Sequence, residues 1–445
     1  MWARNSILYY AAILYNIMIN LMINTKNKPN HDVVPGRLDR CQITGSKNLF
    51  EAIDLGHQPT CDALLTKETI NQPEAYYPLR LMICPESGLG QLDYAVDGRI
   101  LYPADYPYRA GISEPLRLYL LTFADNIVNR FKVSPKSLCV DIGCNDGTLL
   151  SGFKRHNMRT VGIEPTNMAK FARKENKIET IQDFFTEALA KKMVKEYGRA
   201  KVITMTNVFA HMATLGEVMR GIDRLLDKDG IFMTESQYLL DILQRNQFDQ
   251  VYHEHLRLYS LKSLVKLFPY YGMEVFDVER LPSREGSIRV CIARKGVHSI
   301  NQEVYKLLAL EEKAGLFNPA TWSKWRQEAV DNREKFIELA YKAKSRGQLF
   351  VGDSCPGRGA VLVNYYGIDK TLMPYIAQLP GSEKVGKFMP GTHIPIVDNS
   401  IIMEEKPDYV VILAWHYGDY IMKNWRAKGL KSKFVLPLPV FKIVK

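Results

Sequence analysis

The sequence has no run of five like charges, no stretch where aromatic and basic residues interleave, and no short repeat at solenoid periods. Those absences exclude a charged tail, the usual nucleic-acid-binding surface and a stacked-repeat architecture. Cysteine is sparse: seven in 445 residues, at 41, 61, 84, 139, 144, 291 and 355, odd in number and widely spaced. That is not the framework of a disulfide-stapled secreted domain, and it points to reduced thiols and a cytoplasmic location. The 29 glycines and 22 prolines are scattered, which excludes collagen-like and low-complexity chains. Long apolar runs are scarce too. The one at 7–24 follows only Arg4 and is interrupted by Asn16 and Asn20. A spanning helix needs about 20 apolar residues, and no small-residue cleavage site follows. A membrane partner is therefore not expected, and residues 1–36 read as an apolar leader and linker.

What remains has a globular composition, 46% hydrophobic and 24% charged. At roughly 150 residues per domain the length predicts about three domains. Lys and Arg exceed Asp and Glu by 59 to 48. A small substrate bearing phosphate accounts for that surplus without nucleic acid. Residues 37–105 are turn-rich and short-stranded, which predicts a small β-rich domain. Within it Cys41-Gln42-Ile43-Thr44 and Cys84-Pro85-Glu86-Ser87 are placed like the two knuckles of a zinc ribbon, but Thr44 and Ser87 stand where thiolates would complete a tetrahedron. Even with Cys61 and His57 available for recruitment, zinc is not expected, and the segment reads as a degenerate ribbon that packs without metal.

From 106 to 300 apolar strand-like runs at 137–141, 160–164, 202–205 and 230–234 alternate with helical patterns at 116–130, 167–175, 186–197 and 215–227. This alternation predicts a doubly wound α/β sheet. A helical stretch at about 301–345 leads to further strands at 347–353, 409–415 and 433–437, a second Rossmann-like α/β domain over 301–445. The first strand ends in Val140-Asp141-Ile142-Gly143-Cys144-Asn145-Asp146-Gly147 and opens a helix. Glycines there let backbone approach a ligand, and a helix start offers unpaired N–H groups. The turn reads D-x-G-x-x-x-G, not the G-x-G-x-x-G of dinucleotide enzymes. An acid, Glu164, closes the next strand, where a carboxylate can accept ribose hydroxyls. The pairing resembles class I S-adenosylmethionine-dependent methyltransferases. That resemblance implies a cofactor site made of Asp141, Gly143, Asn145, Gly147 and Glu164. It also places Asp183 at the adenine and Asn207 where substrate and methyl group meet.

Gln247-Phe248-Asp249-Gln250-Val251-Tyr252-His253-Glu254-His255 is the most unusual stretch. A zinc helix spaces its imidazoles as H-x-x-x-H, and here they are two apart, so an acid–base cluster is favoured over a metal. On an extended or turn segment Tyr252 and Glu254 would share one face, and His253 and His255 the other.

The chain resembles the three-domain sugar C-methyltransferases, which methylate a nucleotide-linked 4-keto deoxysugar beside its ketone. The resemblance runs from about 37 to 445. It rests on the degraded knuckles, Tyr106-Pro107-Tyr108, CVDIGCNDGTLL at 139–150, NVFAH at 207–211, QFDQVYHEH at 247–255, Gly286-Ser287-Ile288-Arg289, PGTHIPI at 390–396 and Leu436-Pro437-Leu438-Pro439. It implies that His255 is the base, that Tyr252 and Glu254 complete its cluster, and that His211 and Tyr106 line the opposite wall. Tyr108, Ser287, Arg289 and Arg358 are the residues it implies against the sugar nucleotide, with arginines able to grip a diphosphate in bidentate fashion. Two places depart from the family pattern: Arg284-Glu285-Gly286-Ser287 replaces His-Gly-Gly-Ser, and Cys355-Pro356-Gly357-Arg358-Gly359 replaces a Lys-Gly turn. An altered sugar or nucleotide follows. Methylation at oxygen or nitrogen, and a non-catalytic scaffold in glycan assembly, are the alternatives. A monomer or weak oligomer is expected.

Overall fold

The computed structural model describes residues 29–102, 109–282 and 286–445. The apolar run at 7–24 lies outside the described residues, as do Tyr106, Tyr108, Arg284 and Glu285. Apart from the two-residue strands Gly36–Arg37 and Tyr94–Ala95, which pair with each other, the first strands are β1 (Phe50–Gln58), β2 (Tyr77–Ile83) and β3 (Gly90–Leu92). They are followed by β4 (Leu138–Ile142), β5 (Arg159–Ile163), β6 (Glu179–Ile181), β7 (Ala200–Thr206) and β8 (Leu226–Gln237). After the two-residue β9 (Arg257–Leu258) the chain forms a hairpin of β10 (Met273–Leu281) and β11 (Ser287–Arg294). The last six strands are β12 (Phe350–Asp353), β13 (Ile376–Gln378), β14 (Ile396–Asp398), β15 (Tyr409–Ile412), β16 (Lys433–Leu436) and β17 (Lys442–Val444).

The central sheet has seven strands in the order β10-β11-β8-β7-β4-β5-β6. Its strands from β8 to β6 run parallel, and β11 is antiparallel to both β8 and β10. Helices Thr148–Arg155, Met168–Lys174, Glu187–Tyr197 and Leu215–Leu225 connect the parallel strands. This is the doubly wound α/β architecture of the class I methyltransferase sheet. β4 is buried at every position, as a strand covered on both faces must be. Cys139 and Val202 pack with Phe123 and Phe153 on one side, while Val140 and Ile203 belong to the core containing Met219 and Ile222 on the other. Winding reverses between the adjacent strands β4 and β7, and such a reversal opens a crevice at their carboxyl ends.

The connection from β8 to β10 does not stay with this sheet. Its strand β9 is the edge of the small sheet, ordered β9-β3-β2-β1, with Arg257 opposite Gln91 and Leu258 opposite Gly90. The side chain of Arg257 is wholly buried and donates to the carbonyls of Met212 and His31. The C-terminal sheet repeats the winding order, β14-β13-β12-β15-β16, with β17 added antiparallel. The helical stretch expected over 301–345 is two helices, Gln302–Lys313 and Pro319–Ser345. The break is local chemistry: Gly315 takes φ +66°, and Asn318 caps the second helix by accepting from the Ala320 N–H ahead of Pro319 at its first position. Among the described residues no helix is long and apolar enough to cross a membrane.

Removing a buried guanidinium strands the two carbonyls it serves. Arg257→Leu is expected to lower the unfolding free energy by about 3 kcal/mol, read from the urea midpoint by tryptophan fluorescence; an unchanged midpoint would contradict this anchoring role.

Candidate active site

The crevice is assembled from the turns that follow β4, β5, β6 and β7. Gly143 follows β4 at φ +74°, and a Cβ there would lie 2.6 Å from a Val208 methyl, so the turn can cross the one after β7 only without a side chain. Asn145 and Gly147 also take positive φ, and Gly147 leads into helix Thr148–Arg155. Glu164, directly after β5, is buried. One carboxylate oxygen accepts the Asn145 N–H at 2.9 Å, and the other accepts from the Thr166 N–H and hydroxyl. Asp141 accepts the Thr204 hydroxyl at 2.7 Å, and burial, with Glu164 nearby, pushes its carboxyl up to about 7. Asp183 lies just beyond β6, exposed, accepting the Phe184 N–H. Asn207 follows β7 at φ +56°, its N–H on the Glu235 carbonyl and its Oδ1 3.3 Å from Gln237 Nε2. A bare backbone turn with a carboxylate at the neighbouring strand end suits the adenosyl group that this fold implies. Asp146 is a further member: it accepts from Thr148 and from the Gly111 N–H, fastening residues 109–112 against the turn.

The second half of the site comes from the β8–β10 connection. The His255 N–H bonds the Tyr252 carbonyl at 2.9 Å, closing a turn that brings the Tyr252 and His255 rings together, 3.9 Å between centroids with their planes tilted by 40°. This corrects the expected i, i+2 sharing of faces: in this turn residues three apart meet, so His255 sides with Tyr252, while His253 packs on Tyr77. His211, in the short helix Phe209–His211 after β7, lies 5.1 Å from His255, ring to ring. His255 Nδ1 is 2.8 Å from the Gln250 carbonyl, which can only accept, so this nitrogen carries a proton and Nε2 is the acceptor nitrogen of the ring's neutral form. Tyr102 Oη is 2.9 Å from His211 Nδ1, and the Cys61 thiol points at a Glu254 oxygen at 3.8 Å. Burial, reinforced by Glu254, holds Tyr102 well above the usual phenol range, and burial, Asp62 and Glu254 do the same for the Cys61 thiol. Both stay neutral at ordinary pH.

Cys61, Asp62 and Glu254 are close enough to share a cation. An ammonium already pairs with one of them: Lys384 Nζ lies 3.2 Å from Asp62 and 3.1 Å from the Cys355 carbonyl. Sequence reasoning does not single out Tyr102, Asp62 or Lys384 as site residues, and it offers Cys61 only as a recruit to the knuckles. Tyr102 has a nearby signal, the tyrosine-rich segment it opens.

The arginines need correction. Arg289 on β11 is the cross-strand neighbour of Glu235 on β8 and of Glu279 on β10. Its guanidinium bonds both carboxylates, at 2.8 and 3.0 Å, and the Tyr119 hydroxyl at 2.6 Å, over the face of Phe123. Arg358 pairs with buried Asp249 at 3.1 Å, reaches His416 and lies over Trp415. Both guanidiniums are spent inside the protein as struts and do not present the bidentate diphosphate grip expected of them. Ser287 is buried at the start of β11, opposite Gln237.

The knuckle residues do not fit zinc. Cys41 Sγ lies 3.2 Å from Ser87 Oγ and accepts from the Ile43 and Thr44 N–H groups. A hydrogen bond from the Cys41 thiol favours the Cys84 thiolate. Among the described residues no third Cys, His, Asp or Glu joins these two sulfurs, His57 is exposed, and Cys61 belongs to the Glu254 cluster. Zinc is normally held by four N, S or carboxylate ligands, and two hydroxyls are poor substitutes.

Sheet order and crevice define a class I, S-adenosylmethionine-dependent methyltransferase. Residues 41–102 match a family model described as "Putative zinc binding domain", 116–278 one described as "Methyltransferase domain", and 282–439 one described as "C-methyltransferase C-terminal domain". The C-methyltransferase NovU of Streptomyces niveus is 28% identical over 410 residues, 92% of this chain and 97% of that protein. Among solved structures, an S-adenosylmethionine-dependent methyltransferase from Clostridium acetobutylicum aligns at 11% identity and TM-score 0.33, over 40% of this chain and 92% of its own. Magnesium protoporphyrin IX methyltransferase from Synechocystis, with bound S-adenosylhomocysteine, aligns at 13% and 0.31, over 40% and 83%. The three models follow one another along residues 41–439, and over that length the chain is similar to a C-methyltransferase.

Two outcomes follow from this geometry. Protein purified from zinc-supplied cells is expected to carry well under one zinc per chain by metal analysis, and the Thr44→Cys, Ser87→Cys double variant about one; stoichiometric zinc in the unaltered protein would show that other ligands complete the tetrahedron. His253 packs its ring on Tyr77, and burial holds its pKa down to about 4 against an ordinary 6.5. A depressed histidine stabilises the fold fully above its unfolded pKa and loses that contribution as pH falls through the folded one. Stability should therefore drop between pH 6.5 and 4, by up to about 3 kcal/mol from this residue. Urea titrations of His253→Gln across that window should show a shallower decline than the parent protein.

Proposed function

We propose that the protein methylates a nucleotide-linked keto sugar at the carbon beside its ketone, and that His255 is the base. The observation that carries this reading is the pair of imidazoles, His255 and His211, 5.1 Å apart between ring centroids, with the Nδ1 of His255 committed to the Gln250 carbonyl. A carbon-bound proton next to a ketone leaves at neutral pH only if a base receives it and the developing oxygen charge is stabilised. His255 Nε2 is placed to be that acceptor, since a neutral imidazole has an unperturbed pKa of about 6.5. Tyr252, packed against the ring at a tilt, holds its orientation. Glu254 and His211, with Tyr106 outside the described residues, complete the walls.

Gly143, Asn145, Gly147 and Glu164 would hold the adenosylmethionine, Asp183 its adenine, and Asn207 would stand beside the methyl group. That group, when bound, supplies an electrophilic methyl on sulfonium. Asp141 contributes from below the turn, its carboxyl tied to Thr204. The chain's own work is to bring the carbon into line with that methyl, since positioning supplies much of the barrier reduction. Burial of Tyr102, Cys61 and His255 also keeps water from the new carbanion. Tyr108 and Ser287 are assigned to the sugar nucleotide by family likeness alone, while the arginines now support the walls.

The test is deuterium wash-in from D2O at the ring carbon of a panel of nucleotide-linked keto sugars, without methyl donor. Exchange by the parent protein, reduced at least about a thousand-fold in His255→Ala with S-adenosylhomocysteine binding retained, is the expected result. Turnover without carbon exchange would instead point to methylation at oxygen or nitrogen. Full activity in folded His255→Ala would remove it from the base role.

A further inference from the structure

Tyr102 ends the short helix Gly98–Leu101, and its ring lies stacked on that of His211, with centroids 5.9 Å apart and planes 18° from parallel. Its Oη is 2.9 Å from His211 Nδ1. One proton lies between these atoms, and it belongs to one of them. An imidazole nitrogen is a far better acceptor than a phenolic oxygen, so the O–H···N arrangement is favoured over N–H···O. The environment agrees, because burial and Glu254 disfavour any phenolate.

We infer that Tyr102 is a positioning residue that donates its phenolic proton to His211 Nδ1 and so fixes His211 as the Nε2–H tautomer, an N–H donor opposite the base His255. This rests on the reaction proposed above, which it deepens: the two imidazoles are held in opposite tautomers from behind. His255 has Nδ1–H on a carbonyl and so its acceptor nitrogen at Nε2, whereas His211 has Nδ1 as acceptor and the proton at Nε2. When the carbon–hydrogen bond breaks, the proton goes to His255 Nε2 and the electron pair moves through the new C–C double bond onto the ketone oxygen. His211 Nε2–H meets that oxygen with a hydrogen bond and keeps its own proton. The device needs a hydroxyl at position 102: an aromatic ring alone would preserve the stack and release the tautomer.

The experiment is a nitrogen NMR spectrum of the full chain labelled with ¹⁵N-histidine, the His211 signals assigned by their loss in His211→Gln. The expected spectrum has His211 Nδ1 unprotonated and Nε2 protonated at neutral pH. In Tyr102→Phe, checked for an unchanged melting midpoint and unchanged S-adenosylhomocysteine binding, both tautomers should appear, and carbon exchange should fall about ten-fold or more. A proton on Nδ1 of His211 in the parent protein, or an identical His211 spectrum in Tyr102→Phe, overturns the inference. The spectrum of the parent protein needs no variant and no substrate. An Nδ1-unprotonated His211 in a protein that exchanges no keto sugar would therefore support the tautomer while removing the reaction assigned to it.

Discussion

The arrangement of the site depends on a single buried cation. Arg257 has no exposed surface, and a guanidinium taken out of water must be repaid by hydrogen bonds wherever the chain can offer them. It receives two carbonyls, from Met212 and His31, in the electrostatic company of Tyr259, Tyr271 and Asp32. Met212 is the residue after His211, and Arg257 itself is two residues after His255. The same side chain therefore sets where the turn after β7 stops and where the β8–β10 connection starts its crossing to the small sheet. The 5.1 Å between the two imidazoles is a distance between two segments bolted to one guanidinium. His31 extends the clamp, with its other contacts on Tyr271 and the Ile43 carbonyl beside the first knuckle.

Charge inside this protein is handled by pairing where it supports walls and by neutrality where chemistry is proposed. Arg289, Arg358 and Lys384 are each matched to a carboxylate, so the surplus of basic residues does not become a positive pocket at the base. Near His255 the Cys61 thiol and the Tyr102 phenol are held uncharged, by burial first and by the neighbouring Glu254 carboxylate with it. Hydrogen-bond donors in a poorly solvated site stabilise developing charge more than they would in water, which is what the proposed enolate would require.

The sequence made legible what depends on local periodicity and short spacing. Continuous apolar runs marked the parallel strands, since a strand such as Leu138–Ile142 buries both faces, and the glycine turn with Glu164 marked the crevice. Residues joined across long chain separations were not legible in that way. Nothing within a few positions of Arg289 announces that Glu235 and Glu279 flank it on neighbouring strands; register decides that. Lys384 has no motif around it, and it reaches Asp62 across 322 positions. The 252–255 segment was misjudged for a different reason: alternation of side chains holds only for extended backbone, and one N–H···O bond from His255 to Tyr252 turns the pattern over.

The altered knuckles follow from the same clamp. In a ribbon the metal's task is to hold two turns against each other. Here Gln91 does that directly: its side-chain oxygen accepts the Gln42 N–H and its amide donates to the Arg40 carbonyl, both at 2.9 Å, so β3 grips the first knuckle on either side of Cys41. Gln91 is also the residue paired with Arg257 across β9 and β3. The small sheet is thus tied through β9 to the segment that carries Arg257, and Ser87 hydrogen-bonds the Cys41 sulfur. The buried Gln91 amide and the buried Arg257 guanidinium each satisfy backbone groups of their own, so losing either strands its partners. Two hydroxyls at the knuckles are compatible with a stable ribbon on those terms, since the cross-link that zinc would supply is already made by protein atoms.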